Sequence, residues 1–283
     1  MTKSFIFPRI LLVFFLTFIT ASLFAQTTVR SGDMVITGRL MTFYKGIYVA
    51  RGGVEAVQQD RKMTADKGIY DQNLEIIKAM DNVKVEMPDT SMTADYMEVY
   101  VKEERVSARG NPRVIKIMER GSTSTEDAQQ SKKTRVILTC DEIEGFNRED
   151  RFLAKGRVKV VEVNYREGET PEEALENEKK PLTLITSEIM EAYAEENKMV
   201  AKNNVEIITE TLKATGDRAV YLNDENRIII TGHAHAIQAT KEQGKTSQTS
   251  EVFANKIIYY IDSDRTIAVG NVKATVYPGS TKN

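Results

Sequence analysis

The chain has 283 residues, with 39 basic and 41 acidic side chains, 41% apolar content, one cysteine and no tryptophan. A lone cysteine excludes an internal disulfide framework and a structural zinc site built on several thiolates. A net charge of −2 excludes the strongly basic surface with which general nucleic-acid binders neutralise phosphates, and 28% charged residues describe a folded chain rather than a disordered one.

Residues 1–25 read as a secretory signal peptide. Lys3 and Arg9 precede the apolar run Ile10 to Ile19, and small residues lead to Ala25 and Gln26. The run is shorter than the ~20 residues that span a bilayer, so cleavage near Ala25 is expected rather than anchoring. Removing Lys3 and Arg9 leaves the mature chain at a net charge of about −4. Export without a disulfide means that packing and strand pairing must hold the fold.

Residues 26–283 form one domain made of a repeat. The pattern A-x-G-x-V-x-V starts at Ala50, Ala79, Ala108, Ala154, Ala201, Ile230 and Ala268. A second pattern, centred on an acid or amide, stands at Asp66, Asp95, Asp141, Glu188, Asp217 and Asn255. Every acidic position lies 13 residues before the next alanine-type position, while the reverse interval is 16, 16, 33, 34, 16 and 25. The unit is therefore 29 residues, with insertions of 17, 18 and 9 residues confined to one half of it. A constant segment beside an elastic one predicts fixed strand pairing with variable surface hairpins.

The columns of the repeat alternate with period two, which predicts half-buried strands. Counting from the alanine-type position, the residues at minus two are Tyr48, Ile77, Val106, Phe152, Met199, Ile228 and Thr266. At plus four stand Val54, Val83, Pro112, Val158, Val205, Ala234 and Val272, and at plus six Ala56, Val85, Val114, Val160, Ile207, Ala236 and Ala274. Plus three and plus five are polar. Plus two is mostly glycine, so each strand is expected to bend or bulge there. In the acidic half the apolar positions shift phase, to Met97, Ile143, Met190, Ala219 and Ile257, which places a corner at the acid. The expected architecture is all-β: an elongated, twisted β-jelly roll of consecutive antiparallel strands built from about seven two-strand repeats.

The insertions, near 119–134, 164–181 and 240–250, read as solvated hairpin loops. One of them could hold a short helical turn, with Thr170 as cap and Pro171 at its first position. Chemistry is sparse. His233 and His235 lie in the outward polar series and no third histidine exists, so they read as solvated side chains of the outer face rather than a metal site. Cys140 fills a column held elsewhere by Ala, Ser or Gly, as a packed thiol would. The acids, one per repeat at a corner, fit local backbone hydrogen bonding rather than paired catalysis or a calcium ladder. No catalysis and no cofactor are expected. The alanine column leaves two readings of the apolar face open. It is a groove partly vacant for acyl chains, or a dry core with alanines where the sheets approach.

The segments Met63 to Tyr70 and Ile77 to Val85, repeated through Phe253 to Tyr260 and Ile267 to Ala274, resemble the OstA-like family of lipopolysaccharide transport, of LptA type. The resemblance covers about Met34 to Tyr277. It implies a twisted β-jelly roll whose apolar groove carries lipid A acyl chains across the periplasm, from inner to outer membrane. It also implies partner transport proteins of both membranes joined through edge strands, end-to-end protomers, and no catalytic residue. The inward columns are then the expected lipid contacts: Tyr48, Val54, Ile77, Val83, Val85, Val106, Val114, Phe152, Val158, Val160, Met199, Val205, Ile207, Ile228 and Ile230. A structural module that pairs with other envelope proteins through its edge strands is the alternative. The two large insertions and Pro112, which lacks a ladder donor, depart from the usual pattern of the family.

Overall fold

Alternating apolar and polar columns leave the backbone little choice but pairing. The computed structural model describes residues 27–31, 34–120, 132–240 and 248–278, and each repeat half becomes a strand or a pair of strand halves. The expected signal peptide and most of the first and third insertions lie outside the described residues. The entry is β1 (Thr27–Ser31) and β2 (Met34–Tyr44), followed by β3 (Ile47–Gln58), β4 (Arg61–Asp71), β5 (Ile76–Glu86) and β6 (Thr90–Tyr100). Two interrupted strands come next: β7 (Arg105–Arg109) with β8 (Arg113–Arg120), and β9 (Lys132–Thr139) with β10 (Glu142–Phe146). Then come β11 (Arg151–Asn164), helix α1 (Pro171–Glu178), β12 (Thr183–Tyr193), β13 (Lys198–Thr209) and β14 (Leu212–Leu222). β15 (Arg227–Thr240), β16 (Gln248–Tyr260), β17 (Arg265–Val269) and β18 (Lys273–Tyr277) complete the order.

Each strand pairs antiparallel with the next. Where strands are interrupted, the ladder continues in two lanes. β7 and β8 both pair with β6, β10 continues from β7 and β9 from β8, and both lanes rejoin on β11. The same split ends the molecule, with β17 and β18 side by side on β16. The expected jelly roll of consecutive antiparallel strands is the fold observed.

The corner has one physical cause in all seven repeats. The plus-two and plus-three residues both adopt positive φ: Gly52 and Gly53, Asp81 and Asn82, Gly110 and Asn111, Gly156 and Arg157, Asn203 and Asn204, Gly232 and His233, Gly270 and Asn271. Two consecutive left-handed residues bulge the strand, and the register jumps there, as between Arg51 and Val54 or Met80 and Val83. Glycine removes the Cβ penalty at plus two. It also leaves room for the acid of the preceding strand, because a Cβ at Gly110, Gly156 or Gly232 would overlap the carboxylate of Asp95, Asp141 or Asp217. Against the expectation of backbone bonding, the carboxylate of that acid bonds to a side chain. It accepts from the plus-three side chain, with Asn82 Nδ2 2.7 Å from Asp66, Arg157 Nε 2.9 Å from Asp141 and Asn204 Nδ2 2.6 Å from Glu188.

The constant interval of 13 has its own explanation. Four-residue turns close the hairpins on one rim, and each ends in a left-handed residue: Glu75, Glu104, Asp150, Asn197, Asn226 and Asp264. Neighbouring turns stack through backbone bonds, from Val101 N to Glu75 O, Asn147 N to Glu104 O, Ala194 N to Asp150 O, Asn223 N to Asn197 O and Ile261 N to Asn226 O. A change of length there would break two neighbours at once. The insertions all fall on the opposite rim, as the interval arithmetic requires. Bending every strand at its corner folds the ribbon into two facing half-sheets, a constant one bearing the stacked turns and an elastic one bearing the insertions.

One expectation about the insertions needs correction. The helix forms as anticipated, with Thr170 Oγ1 accepting from Glu173 N at 3.3 Å and Glu173 Oε2 accepting from Thr170 N at 2.8 Å, a complete capping box with Pro171 in the first turn. It is not merely a solvated loop. It lies over an outward apolar cluster of the elastic half-sheet, Ile137, Val161 and Val163, with Ile115 and Leu184 packed against them. Arg135 holds it from beneath, pairing with Glu169 and donating from Nη2 to Ala174 O at 2.8 Å, while Arg113 Nη2 reaches Glu178 at 2.7 Å. The outward isoleucines and valines need this cover, since their exposure would cost about 25 cal/mol per Å².

Candidate functional site

The interior between the half-sheets is not uniform. From β9 to β17 it is filled by the protein's own side chains: Ile143, Ile207, Leu212, Ile230 and Ile257 are each at most 2% exposed and belong to one continuous cluster with Val158, Val205 and Ile228. The two rims are tied across the mouth there. Thr211 Oγ1 donates to Asp264 at 2.7 Å, Tyr259 OH donates to the same carboxylate at 2.5 Å, and Thr266 Oγ1 donates to Gln238 at 2.7 Å. Burial and the Asp264 carboxylate both hold the Tyr259 hydroxyl above its ordinary pKa, so it stays a donor.

At the β1–β5 end the interior opens into an apolar cleft. Its walls include Ile36 and Met41 from β2, Tyr48, Ala50, Val54 and Ala56 from β3, Met63 and Tyr70 from β4, and Ile77 and Ala79 from β5. Counting its open mouth, the free space is about 450 Å³. The cleft is a slit, whose closed part has room for about one water molecule. An aromatic group guards the mouth, with the Phe43 and Tyr48 rings 4.5 Å apart and Tyr48 stacked on Tyr70 at 6.1 Å. The alanine column lies along the crease. A Cβ on Gly38 would stand 3.0 Å from the Ala50 Cβ, and one on Gly68 3.1 Å from Val54, so small residues permit the close approach of the two halves.

The expected contact residues divide accordingly. Tyr48, Val54 and Ile77 line the cleft. Val83, Val85 and Val106 sit deeper, in a small adjoining cluster around Ala79, Met97 and Ala108. Val158, Val160, Val205, Ile207, Ile228 and Ile230 are packed in the closed part, with Val114 and Phe152 half-buried against them, and Met199 is also half-buried. Column reading missed Ile36, Met41, Met63 and Tyr70, which come from the acidic half and from the incomplete first unit. The signal was present: antiparallel register sets Tyr70 opposite Tyr48 and Ile77, and Ile36 opposite Ala56.

Polar chemistry lies outside. On the outer face of β6, Glu98 accepts from Tyr96 OH at 2.5 Å and from Tyr100 OH, and pairs with Lys78 at 3.0 Å. Burial alone would raise its pKa, but the two hydroxyls and the ammonium outweigh it and pull the carboxyl down to about 2. His233 meets Asp217 at 2.9 Å and His235 meets Glu251 at 2.9 Å while stacking on Phe253, so each imidazole has its own carboxylate. No group of three or more metal-ligating residues occurs among the described residues. Burial pushes the Cys140 thiol up to about 11, as for a packed thiol rather than a nucleophile.

Fold and cleft together define an elongated bent-strand β-jelly roll with an apolar interior that opens at one end. Residues 64–265 match the family described as LptA/(LptD N-terminal domain) LPS transport protein, and the chain belongs to that family. A solved structure, LptH, the LptA-homologous periplasmic component of the lipopolysaccharide transport device of Pseudomonas aeruginosa, aligns over 50% of this chain and 95% of its own. The identity is 15% and the TM-score 0.38. No curated protein matches the sequence.

Proposed function

We propose that the chain is a periplasmic bridge that carries lipopolysaccharide from the inner to the outer membrane. The signal peptide would direct export and be cleaved near Ala25. The reading rests on one observation, an apolar cleft that opens at the β1–β5 end of a chain belonging to a lipopolysaccharide-transport family. Acyl chains would enter by parting the half-sheets, contacting Tyr48, Val54 and Ile77 first and Val83, Val85 and Val106 further in. Ten methylenes leaving water contribute roughly 8 kcal/mol, which offsets a modest opening of the slit. The remaining inward residues, from Val114 to Ile230, would become contacts only as the closed part loosened.

Partners would join at the two ends. Beyond β1, the second half of β2 has an edge that no described strand pairs, carrying exposed Leu40, Phe43 and Tyr44, and β17–β18 are the last described strands, with exposed Val269, Val272, Val276 and Tyr277. Open edges with apolar side chains suit strand addition by transport proteins of either membrane or by a second copy. The dense packing from β9 to β17 favours the second reading, a structural module that uses only its edges.

Mass spectrometry of lipid retained by protein purified from its own host separates the two. Stoichiometric lipopolysaccharide, displaced by a fluorescent acyl probe, supports carriage. Lipid-free protein that takes up no probe supports the structural module.

A further inference from the structure

The outer face of the constant half-sheet carries an apolar row that the described residues leave open over most of its length. Val200, Val220, Ile229, Ile258 and Ile267 stand directly opposite one another on five consecutive strands, β13 to β17. They alternate with the buried Ala201, Ala219, Ile230 and Ile257, so these strand segments are apolar on both faces. That is the pattern of a sheet covered on both sides. Val200 is buried at 2% exposure, but Val220, Ile229 and Ile258 are only half-buried, and Ile267 is 36% exposed.

The row is bordered by cations. Lys202, Arg218 and Lys256 lie two residues along the strands on one side, and Lys198, Arg227 and Arg265 two residues along on the other. Three of the six are matched locally, Lys202 by Glu191, Lys198 by Glu196 and Arg227 by Glu225. Arg265 stacks on Tyr260. Arg218 and Lys256 make no ion pair with any described residue. The border is thus positive, about 13 Å wide between its cation rows and about 19 Å long over four strand spacings.

The other half-sheet shows what covers such a row. There the outward Ile115, Ile137 and Val161 also lie opposite one another, with Arg113 on one side and Arg135 on the other. Their cover is α1, an acidic helix whose flanking Glu178 and Glu169 pair with Arg113 and Arg135. Apolar row, cations on both borders and acidic helix form a set on the elastic half-sheet. On the constant half-sheet no described residue supplies the helix.

We infer that the outer face of β13–β17 docks an acidic amphipathic helix of a partner protein, with apolar side chains on Val220, Ile229 and Ile258 and carboxylates on Arg218 and Lys256. This surface is separate from the cleft and is a sheet face rather than a strand edge, although its last strand, β17, also borders the terminal edge, so it stands whether or not lipid is carried.

The test uses the full chain and a fluorescein-labelled, lactam-stapled helical peptide with leucines on one face and glutamates on both flanks. Binding is read by anisotropy. Saturable binding that weakens about tenfold or more in Arg218→Glu/Lys256→Glu supports the inference. In the same protein set, Lys84→Glu/Lys159→Glu on the elastic half-sheet carries the same charge change and is expected to bind normally. Absence of peptide binding, or equal loss in both variants, overturns it. So does a loss in Arg218→Glu/Lys256→Glu that appears only with phosphatidylglycerol vesicles or only in self-association by sedimentation, because the surface then serves a membrane or a second copy.

Discussion

Replacing Ile257 by Ala and Ile77 by Ala makes the same chemical change at two positions that differ in what lies beside them. Ile257 is 0% exposed inside the closed cluster from β9 to β17, whereas Ile77 is 6% exposed and forms part of the cleft wall. Each substitution removes three carbons, a transfer loss of roughly 2.4 kcal/mol at ~0.8 kcal/mol per methylene. At Ile257 the vacated space is sealed, so a cavity term raises the total to about 3–5 kcal/mol. At Ile77 the space merges with a slit that is already open, so the total stays near about 2 kcal/mol. Urea titrations followed by circular dichroism report both values. Equal losses at the two sites would refute the division of the interior into a closed part and an open cleft.

Other consequences follow from single clusters. The depressed pKa of Glu98, about 2 against a reference of 4.5, stabilises the fold fully above about pH 4.5 and loses that contribution as pH falls toward 2. Glu98→Gln is therefore expected to lower stability at pH 7 by on the order of 2–3 kcal/mol and to match wild type near pH 2, as read from urea midpoints across pH. Arg135→Met leaves the buried Glu169 carboxylate unpaired and is expected to cost about 3 kcal/mol and expose the 165–182 segment to protease. Adding Glu169→Leu to Arg135→Met recovers much of that stability, because no buried charge is then left alone. Cys140, with its thiol at about 11, resists iodoacetamide at pH 8 in the native protein and reacts on unfolding, as a mass shift reports.

The architecture was legible because it repeats. Invariant spacing between Asp66 and Ala79, and between every later pair, reflects stacked turns that cannot change length, and the Gly-rich plus-two column marks the corners. What stayed hidden was how full the interior is. Val54 and Val205 occupy the same column, yet one lines a slit and the other is sealed, because that depends on the residues facing them from the opposite half-sheet. Ile36, Met41 and Tyr70 were missed because only one strand of each pair was followed inward. The role of α1 was equally obscure. Ile137, Val161 and Val163 sit on the outward phase, and only the fold shows that Glu169 and Glu178 return to Arg135 and Arg113 above them.

Photo-crosslinking along one strand tests carriage most directly. A benzoylphenylalanine at Ile77, facing the cleft on β5, should capture lipopolysaccharide in living cells, and one at Lys84, on the outward face of the same strand, should not. Equal labelling at both positions, or labelling at neither, would contradict transport through the cleft.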